Sequence, residues 1–290
     1  MEKVIVTGSC GFIGHHLVKF LMDLGYYVIG IDNLTTGRKE YKDLADKFIQ
    51  ADIREELDFS DIKYVFHTAA QPSIPISIEN PVLTHDINVG GTLNVLMAAK
   101  KAGVKKVVYS SSSSVYGDQE TYPTSEKTTL YPLTPYGAQK LAAEYYCEVF
   151  RHTYQLPTVS LRYFNVFGEE QREDNPYTGV ITKFLRLKKE GQPLTIYGDG
   201  EQKRDFTYVG DIVRANVLAA EKGEGVYNVG TGKSYSVNQV AEAIGGETIH
   251  TPPRVGDPLL SLADNEKIKN LGWSPKVDML KWLNETSQAK

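Results

Sequence analysis

The stretch VTGSCGFIG near the N-terminus is compatible with few folds. Residues 3–7 form a short β-branched run, and residues 12–24 carry Ile13, Leu17, Phe20, Leu21 and Leu24 at helical spacing. Between them Gly8, Gly11 and Gly14 recur every third residue. Glycine lets such a turn close and lets a diphosphate approach the backbone N–H groups at the positive end of the helix. The spacing is GxxGxxG, not the GxGxxG of the general dinucleotide fingerprint, so the triplet alone also suits tight packing. A second β-branched run, residues 27–31, ends in Asp32, about twenty residues beyond the glycines. A carboxylate there accepts from a ribose diol and repels a 2′-phosphate, which favours NAD over NADP. Arg38, in the loop that follows, is the group that would serve a 2′-phosphate; a solvated surface arginine is the simpler reading.

The alternation continues. Strand-like runs at Lys47–Gln50, Tyr64–His67, 106–110 and Thr158–Tyr163 alternate with helical patterns over 83–102 and 135–154. Strands alternating with helices predict an α/β fold, a doubly wound parallel sheet of Rossmann type covered on both faces. After Phe164 the rhythm changes, and turn-rich pieces such as YGDGEQKRD and TPPRVGDP interrupt shorter elements. We therefore divide the chain into an NAD-binding domain, 1–164, and a smaller C-terminal substrate lobe, 165–290, some of whose elements return to the first domain. At 290 residues and 41% hydrophobic the chain is long enough for this.

A net charge of −4 gives no basic footprint for nucleic acid. Two cysteines, Cys10 and Cys147, without ligand spacing argue against a disulfide framework and against a metal site. No apolar stretch approaches the roughly 20 residues of a membrane span, and the chain runs straight into KVIVTG without a leader, so the expected location is the cytoplasm.

The second signal is VVYSSSSSVYGD, residues 107–118, which sets five serines at the end of an apolar strand, followed by TPYGAQK. There Tyr136 and Lys140 are four apart on one helix face. An ammonium near a phenol favours the phenolate, pulling its ordinary pKa of about 10 toward neutrality. Tyr136 is thereby a candidate general base. His67, ending an apolar strand, reads as a packed histidine, and the adjacent His15 and His16 do not face one another on a helix and so make no bidentate metal site.

These residues resemble the extended short-chain dehydrogenase/reductases, and within them the UDP-glucose 4-epimerases. The resemblance runs through TGSCGFIG, DNLTTG, HTAAQPS, NVGGTLNVL, SSSSSVYG, PYGAQK, RYFNVFG, GDGEQKRDFTYVGD, RVGD and LGWSPK, in the family's order. It implies Tyr136 as catalytic acid/base, Lys140 as the residue that tunes it and binds the nicotinamide ribose, and Ser112 as the serine bonded to the reacting hydroxyl. Phe12 and Ile13 would lie under the pyrophosphate with Gly8, Gly11 and Gly14. Asp32 and Asn33 would meet the adenosine ribose, Asp52 and Ile53 the adenine, and Ala69, Ala70 and Asn88 would line the cofactor. Asn165, Arg204, Arg254 and Asp257 match the family's nucleotide-sugar contacts, and guanidinium forks suit a UDP diphosphate.

The other serines, 110, 111, 113 and 114, read as strand-end residues bonding backbone groups. Related dehydratases and decarboxylases carry an acidic residue at the position of Ser113 or Ser114. Serine at both implies oxidation and re-reduction at carbon 4, through a 4-keto sugar that presents its other face to the reduced cofactor. In the resembling epimerases the position four beyond the RVGD aspartate lines the pocket at carbon 2, where a tyrosine restricts the site and a small residue admits an N-acetyl group. Here that position is Ser261. The family also pairs through the helices at 83–102 and 135–154, implying a homodimer. A 4-reductase or uronate epimerase on the same scaffold, and a non-catalytic NAD-binding sensor, are the competing readings.

Overall fold

The computed structural model describes residues 1–173, 179–253 and 258–288. Six strands come first: β1 (Lys3–Thr7), β2 (Tyr27–Asp32), β3 (Lys47–Gln50), β4 (Tyr64–His67), β5 (Lys106–Ser112) and β6 (Thr158–Tyr163). The helices among them are α1 (Phe12–Asp23), α2 (Ile74–Glu79), α3 (Pro81–His85), α4 (Gly91–Ala102) and α5 (Pro135–Thr153). Their successors are β7 (Val166–Phe167), α6 (Val180–Lys189), β8 (Leu194–Tyr197), β9 (Lys203–Arg204), β10 (Thr207–Tyr208), α7 (Val209–Lys222) and β11 (Gly225–Val229). The chain ends through β12 (Tyr235–Ser236), α8 (Val237–Ile244), β13 (Thr248–Thr251), β14 (Leu260–Ser261), α9 (Glu266–Leu271) and α10 (Met279–Gln288).

Seven strands form one parallel sheet in the order β11-β6-β5-β4-β1-β2-β3, the Rossmann arrangement. Its strands are near-continuous apolar runs because both faces are covered. On one face Val4, Val6 and Phe66 meet Leu17 and Leu21 of α1 and Ile212 and Ala215 of α7. On the other, Ile5, Val65 and Val107 meet Leu96 and Ala99 of α4 and Cys147 and Phe150 of α5. Beyond the sheet, α6, α8 and α10 bury Phe184, Leu187, Val240, Ile244 and Leu283 against β8 and its neighbours. Two-residue strands β9, β12 and β14 form a small sheet in which Ser261 is the register partner of Arg204. Among the described residues no helix is long and apolar enough to cross a membrane.

Two elements differ from the sequence pattern by more than one residue. The helix expected over 83–102 is broken by a π turn, Asp86–Gly90, between α3 and α4. The wider turn carries Asn88, whose side chain accepts from Gln71 N at 2.8 Å and donates to Gln71 O and to Gln139 Oε1. Strand β5 runs two residues past the expected end because Ser111 and Ser112 continue the ladder opposite Arg162 and Tyr163.

Candidate active site

The turn between β1 and α1 is built for glycine. Gly8 has φ +70°, and a Cβ on Gly14 would lie 2.0 Å from the Gly8 carbonyl oxygen. Gly11, at the helix cap, has no side chain to bond the first turn, so the N–H groups of Phe12, Ile13 and Gly14 are left at the positive end of α1. These residues form one wall of a cleft of about 370 Å³. Asp32 and Asn33 stand along it, followed by Asp52, Ile53, Ala69 and Ala70. Asp32 accepts from Leu34 N at 2.7 Å and Cys10 N at 3.0 Å, and burial raises its pKa. Asp52 is held well below the usual carboxylate range by the Arg54 guanidinium and also accepts from Asn33 Nδ2 at 2.9 Å. Arg38 lines the same cleft, its guanidinium 5.9 Å from the Tyr41 ring centre. Asn88 does not line the cleft; its amide is spent on Gln71 and Gln139. Amides at a helix start and a carboxylate with unused lone pairs at the end of β2 are the donor and acceptor set that a dinucleotide's diphosphate and ribose diol require.

A second cavity, about 320 Å³, adjoins the first, with Ile13 and Val166 lining both. Ser112, Tyr136, Asn165, Arg204 and Ser261 all line it, so residues spread over 150 positions meet at one place. Tyr136 sits in the first turn of α5, which Thr134 caps by accepting from Gly137 N at 3.2 Å and which starts with Pro135. Its own N–H donates to Ser77 Oγ at 3.1 Å. Lys140 lies one turn further on, beneath the cavity rather than in its wall, and donates to the Ser110 carbonyl at 2.7 Å. Arg254 and Asp257 lie outside the described residues.

The electrostatics correct one expectation. Burial outweighs the expected pull of Lys140 on Tyr136 and pushes its pKa up to about 12, with the Ser112 hydroxyl opposing. Lys140 itself is lowered to about 8 by burial, with Glu144 opposing. The reason is geometric, since the buried ammonium is aimed at Ser110 O and stands 5.8 Å from the ring centre of Tyr136, which is half-buried in the cavity wall.

The serine run divides differently from the pattern expected. Ser112 Oγ accepts from Ser114 N at 3.2 Å, but Ser110 Oγ bonds Tyr163 OH at 3.0 Å, and Ser111 Oγ donates to Glu144. Ser114 Oγ, buried in the cavity wall, has no hydrogen-bond partner among the described residues. His67 is the packed residue its position suggests: Nδ1 bonds Thr7 Oγ1 at 2.7 Å, Nε2 bonds Thr92 Oγ1 at 2.9 Å, and burial drives its pKa down to about 3.

Sequence reasoning missed two groups of residues. Glu144 and Arg162 form a buried pair at 2.7 Å directly behind the serines; the available signal was Glu144 lying four residues past Lys140, on the same helix face. Glu170, in the segment after β7, lines the first cleft and bonds His15 Nε2 at 2.9 Å. Contrary to the helical-spacing argument, this brings ligand atoms of His15, His16 and Glu170 within 4.8 Å of one another. A cation is already supplied there: Lys19 Nζ lies 3.0 Å from the same Glu170 oxygen, and His16 Nε2 bonds the Glu169 carbonyl at 3.1 Å.

Known proteins are similar to this chain in sequence and fold. The UDP-glucose 4-epimerase of Mycolicibacterium smegmatis is 36% identical over 305 residues, spanning 98% of this chain and 97% of that one. Among solved structures, a UDP-N-acetylglucosamine 4-epimerase from Methanobrevibacter ruminantium M1, in complex with UDP-N-acetylmuramic acid, superposes with a TM-score of 0.94 at 39% identity. A UDP-glucose 4-epimerase with UDP-glucose from Thermotoga maritima gives the same TM-score and identity. Each covers 99% of this chain and 97% of its own. The glycine turn, Asp32, Tyr136 and Lys140 all fall inside residues 4–230, which match the model of the NAD dependent epimerase/dehydratase family, and the chain belongs to that family.

Proposed function

We propose that this protein is a UDP-hexose 4-epimerase that inverts carbon 4 through a 4-keto intermediate and takes N-acetylated as well as plain hexoses. The observation that carries the reading is the convergence of Ser112, Tyr136, Asn165, Arg204 and Ser261 on one cavity that opens onto the dinucleotide cleft. The α1 amides hold the diphosphate of NAD and Asp32 its adenosine ribose. Bound NAD supplies the hydride acceptor, and once reduced the donor, for carbon 4. Tyr136, acting as the phenolate, takes the proton of the 4-hydroxyl in one direction and, as the phenol so formed, returns it in the other. Ser112, which lines the same cavity as Tyr136, holds that oxygen in line. The positive end of α5 and the Lys140 ammonium both favour charge on the Tyr136 oxygen as the proton leaves. Arg204 supplies a fixed guanidinium for the substrate diphosphate.

Ser261 carries the substrate width. It is short, it lines the cavity beside Arg204, and its hydroxyl can bond an acetamido group. Similar solved structures include both a UDP-N-acetylglucosamine 4-epimerase and a UDP-glucose 4-epimerase, which supports a pocket open to either. The test is to incubate purified protein, without added cofactor, with a panel of UDP-hexoses and UDP-N-acetylhexosamines and to resolve products by chromatography. Interconversion of the glucose/galactose pair and of the acetylated pair is expected; a protein that leaves the whole panel unchanged is not a 4-epimerase.

A further inference from the structure

Glu144 is among the most deeply buried carboxylates of the chain and has no part in the mechanism above. It projects from α5 at the third step of a stripe, Tyr136, Lys140, Glu144, that faces the ends of β5 and β6. Its Oε1 accepts from Ser111 Oγ and from Arg162 Nε at 2.9 Å, and its Oε2 accepts from Arg162 Nη2 at 2.7 Å. Ser111 and Arg162 are register partners on neighbouring strands, so one carboxylate clamps both strands to the helix. Arg162 continues through Nη1 to Tyr116 OH at 2.8 Å, and Tyr116 donates to Asn228 of β11 at 2.6 Å. A buried ion pair adds little to stability that packed apolar side chains would not, so stability alone is a weak reason for it to sit here. What it does fix is geometry. The residue next to Ser111 is Ser112, and one turn before Glu144 is Lys140.

We propose that Glu144 is a positioning residue for the reaction: through Ser111 it holds the Ser112 end of β5 against the Tyr136 face of α5, and it sets a negative charge beside Lys140. This rests on the epimerase reading. The groups around Lys140 make the charge matter. On its own helix it has Tyr136, Glu144 and Cys147; Tyr109 of β5 stands 5.0 Å away, and His67 of β4 is neutral. Behind Glu144 lies the Arg162 cation. Glu144 is therefore the anion of this pocket, and without it the nearest full charge is a cation that disfavours the ammonium.

The experiment is a pair of variants read by titration and kinetics. In Glu144→Gln, the Lys140 midpoint, followed by NMR of 13C-labelled lysine and assigned with Lys140→Met, should fall by about one pH unit. The alkaline limb of kcat should move down with it, kcat at the optimum should drop about tenfold, and KM should stay within about twofold. A variant that only melts earlier, with midpoint and limb unmoved, overturns the inference. If the wild type turns over none of the UDP-sugars yet the midpoint still falls, the epimerase reading fails and the charge on Lys140 stands. Should Glu144→Gln not fold, Ser111→Ala keeps the Glu144–Arg162 pair and decides the clamp: a several-fold loss of kcat at unchanged KM supports it, and wild-type kcat overturns it.

Discussion

The ammonium of Lys140 donates to the carbonyl oxygen of Ser110 at 2.7 Å, so the helix that presents Tyr136 and the strand that presents Ser112 are joined at the floor of the cavity. Because this bond is made to backbone, it survives any change of the serine side chains.

Removing the phenol oxygen tests the centre of this arrangement. Tyr136→Phe should cut kcat by about 10²–10⁴-fold, the range contributed by a positioned acid/base group, with the cofactor still bound. Initial rates together with nucleotide released by acid check both halves; full activity would remove Tyr136 from the mechanism.

The buried ammonium should cost stability. Lys140 has a folded pKa of about 8 against an ordinary 10.5, so the unfolded chain binds more protons between these values and wild-type stability rises with pH across that window. Below about pH 8 the full cost, on the order of 3 kcal/mol, is present. Lys140→Met should therefore melt higher than wild type at pH 6–7, with the gain shrinking toward pH 10, while activity is lost. Thermal melts over that range decide it.

For the cofactor, the expectation is that protein as purified carries NAD or NADH. Asp32→Ala should weaken it about 10- to 100-fold, since hydrogen bonds to a charged group contribute about 1.5–3 kcal/mol. Recovery of NADP alone would reverse the reading of Asp32 and turn attention to Arg38 on the same cleft.

Ser261→Tyr puts a ring into the cavity beside Arg204. The acetylated pair should be lost selectively, so the informative quantity is the ratio of kcat/KM for UDP-N-acetylglucosamine to that for UDP-glucose. An unchanged ratio would mean that Ser261 does not gate the site.

Tyr145, Tyr146 and Val149 on α5 and Met97 on α4 are exposed, an apolar stripe that a lone helix pair does not need. A homodimer through these helices is expected, and light scattering at micromolar concentration should give twice the chain mass. A monomer there would rule the pairing out.

What the sequence made legible was local. Gly8, Gly11 and Gly14 declare their turn by spacing, Asp32 by its distance from them, and Tyr136 and Lys140 by one helical turn. The missed features are those whose partners only the fold supplies. Glu144 meets Ser111 and Arg162 across two strands whose register no helical periodicity encodes. Glu170 finds His15 from 155 residues away. The expected pull of Lys140 on Tyr136 is outweighed for a related reason: a spacing of four gives proximity but says nothing about how strongly the surrounding fold penalises charge on the phenol.

The order of the central sheet bears on how the chain is made. Strand β11, which covers the outer edge of β6, arrives only at residues 225–229, after β7 to β10, α6 and α7. A chain growing from its N-terminus must therefore carry β6, Thr158–Tyr163, as an open edge until about seventy further residues have been synthesised. During that interval the nascent protein exposes an apolar strand able to pair with a neighbour, which makes residues 158–163 the segment where a chaperone has most to protect.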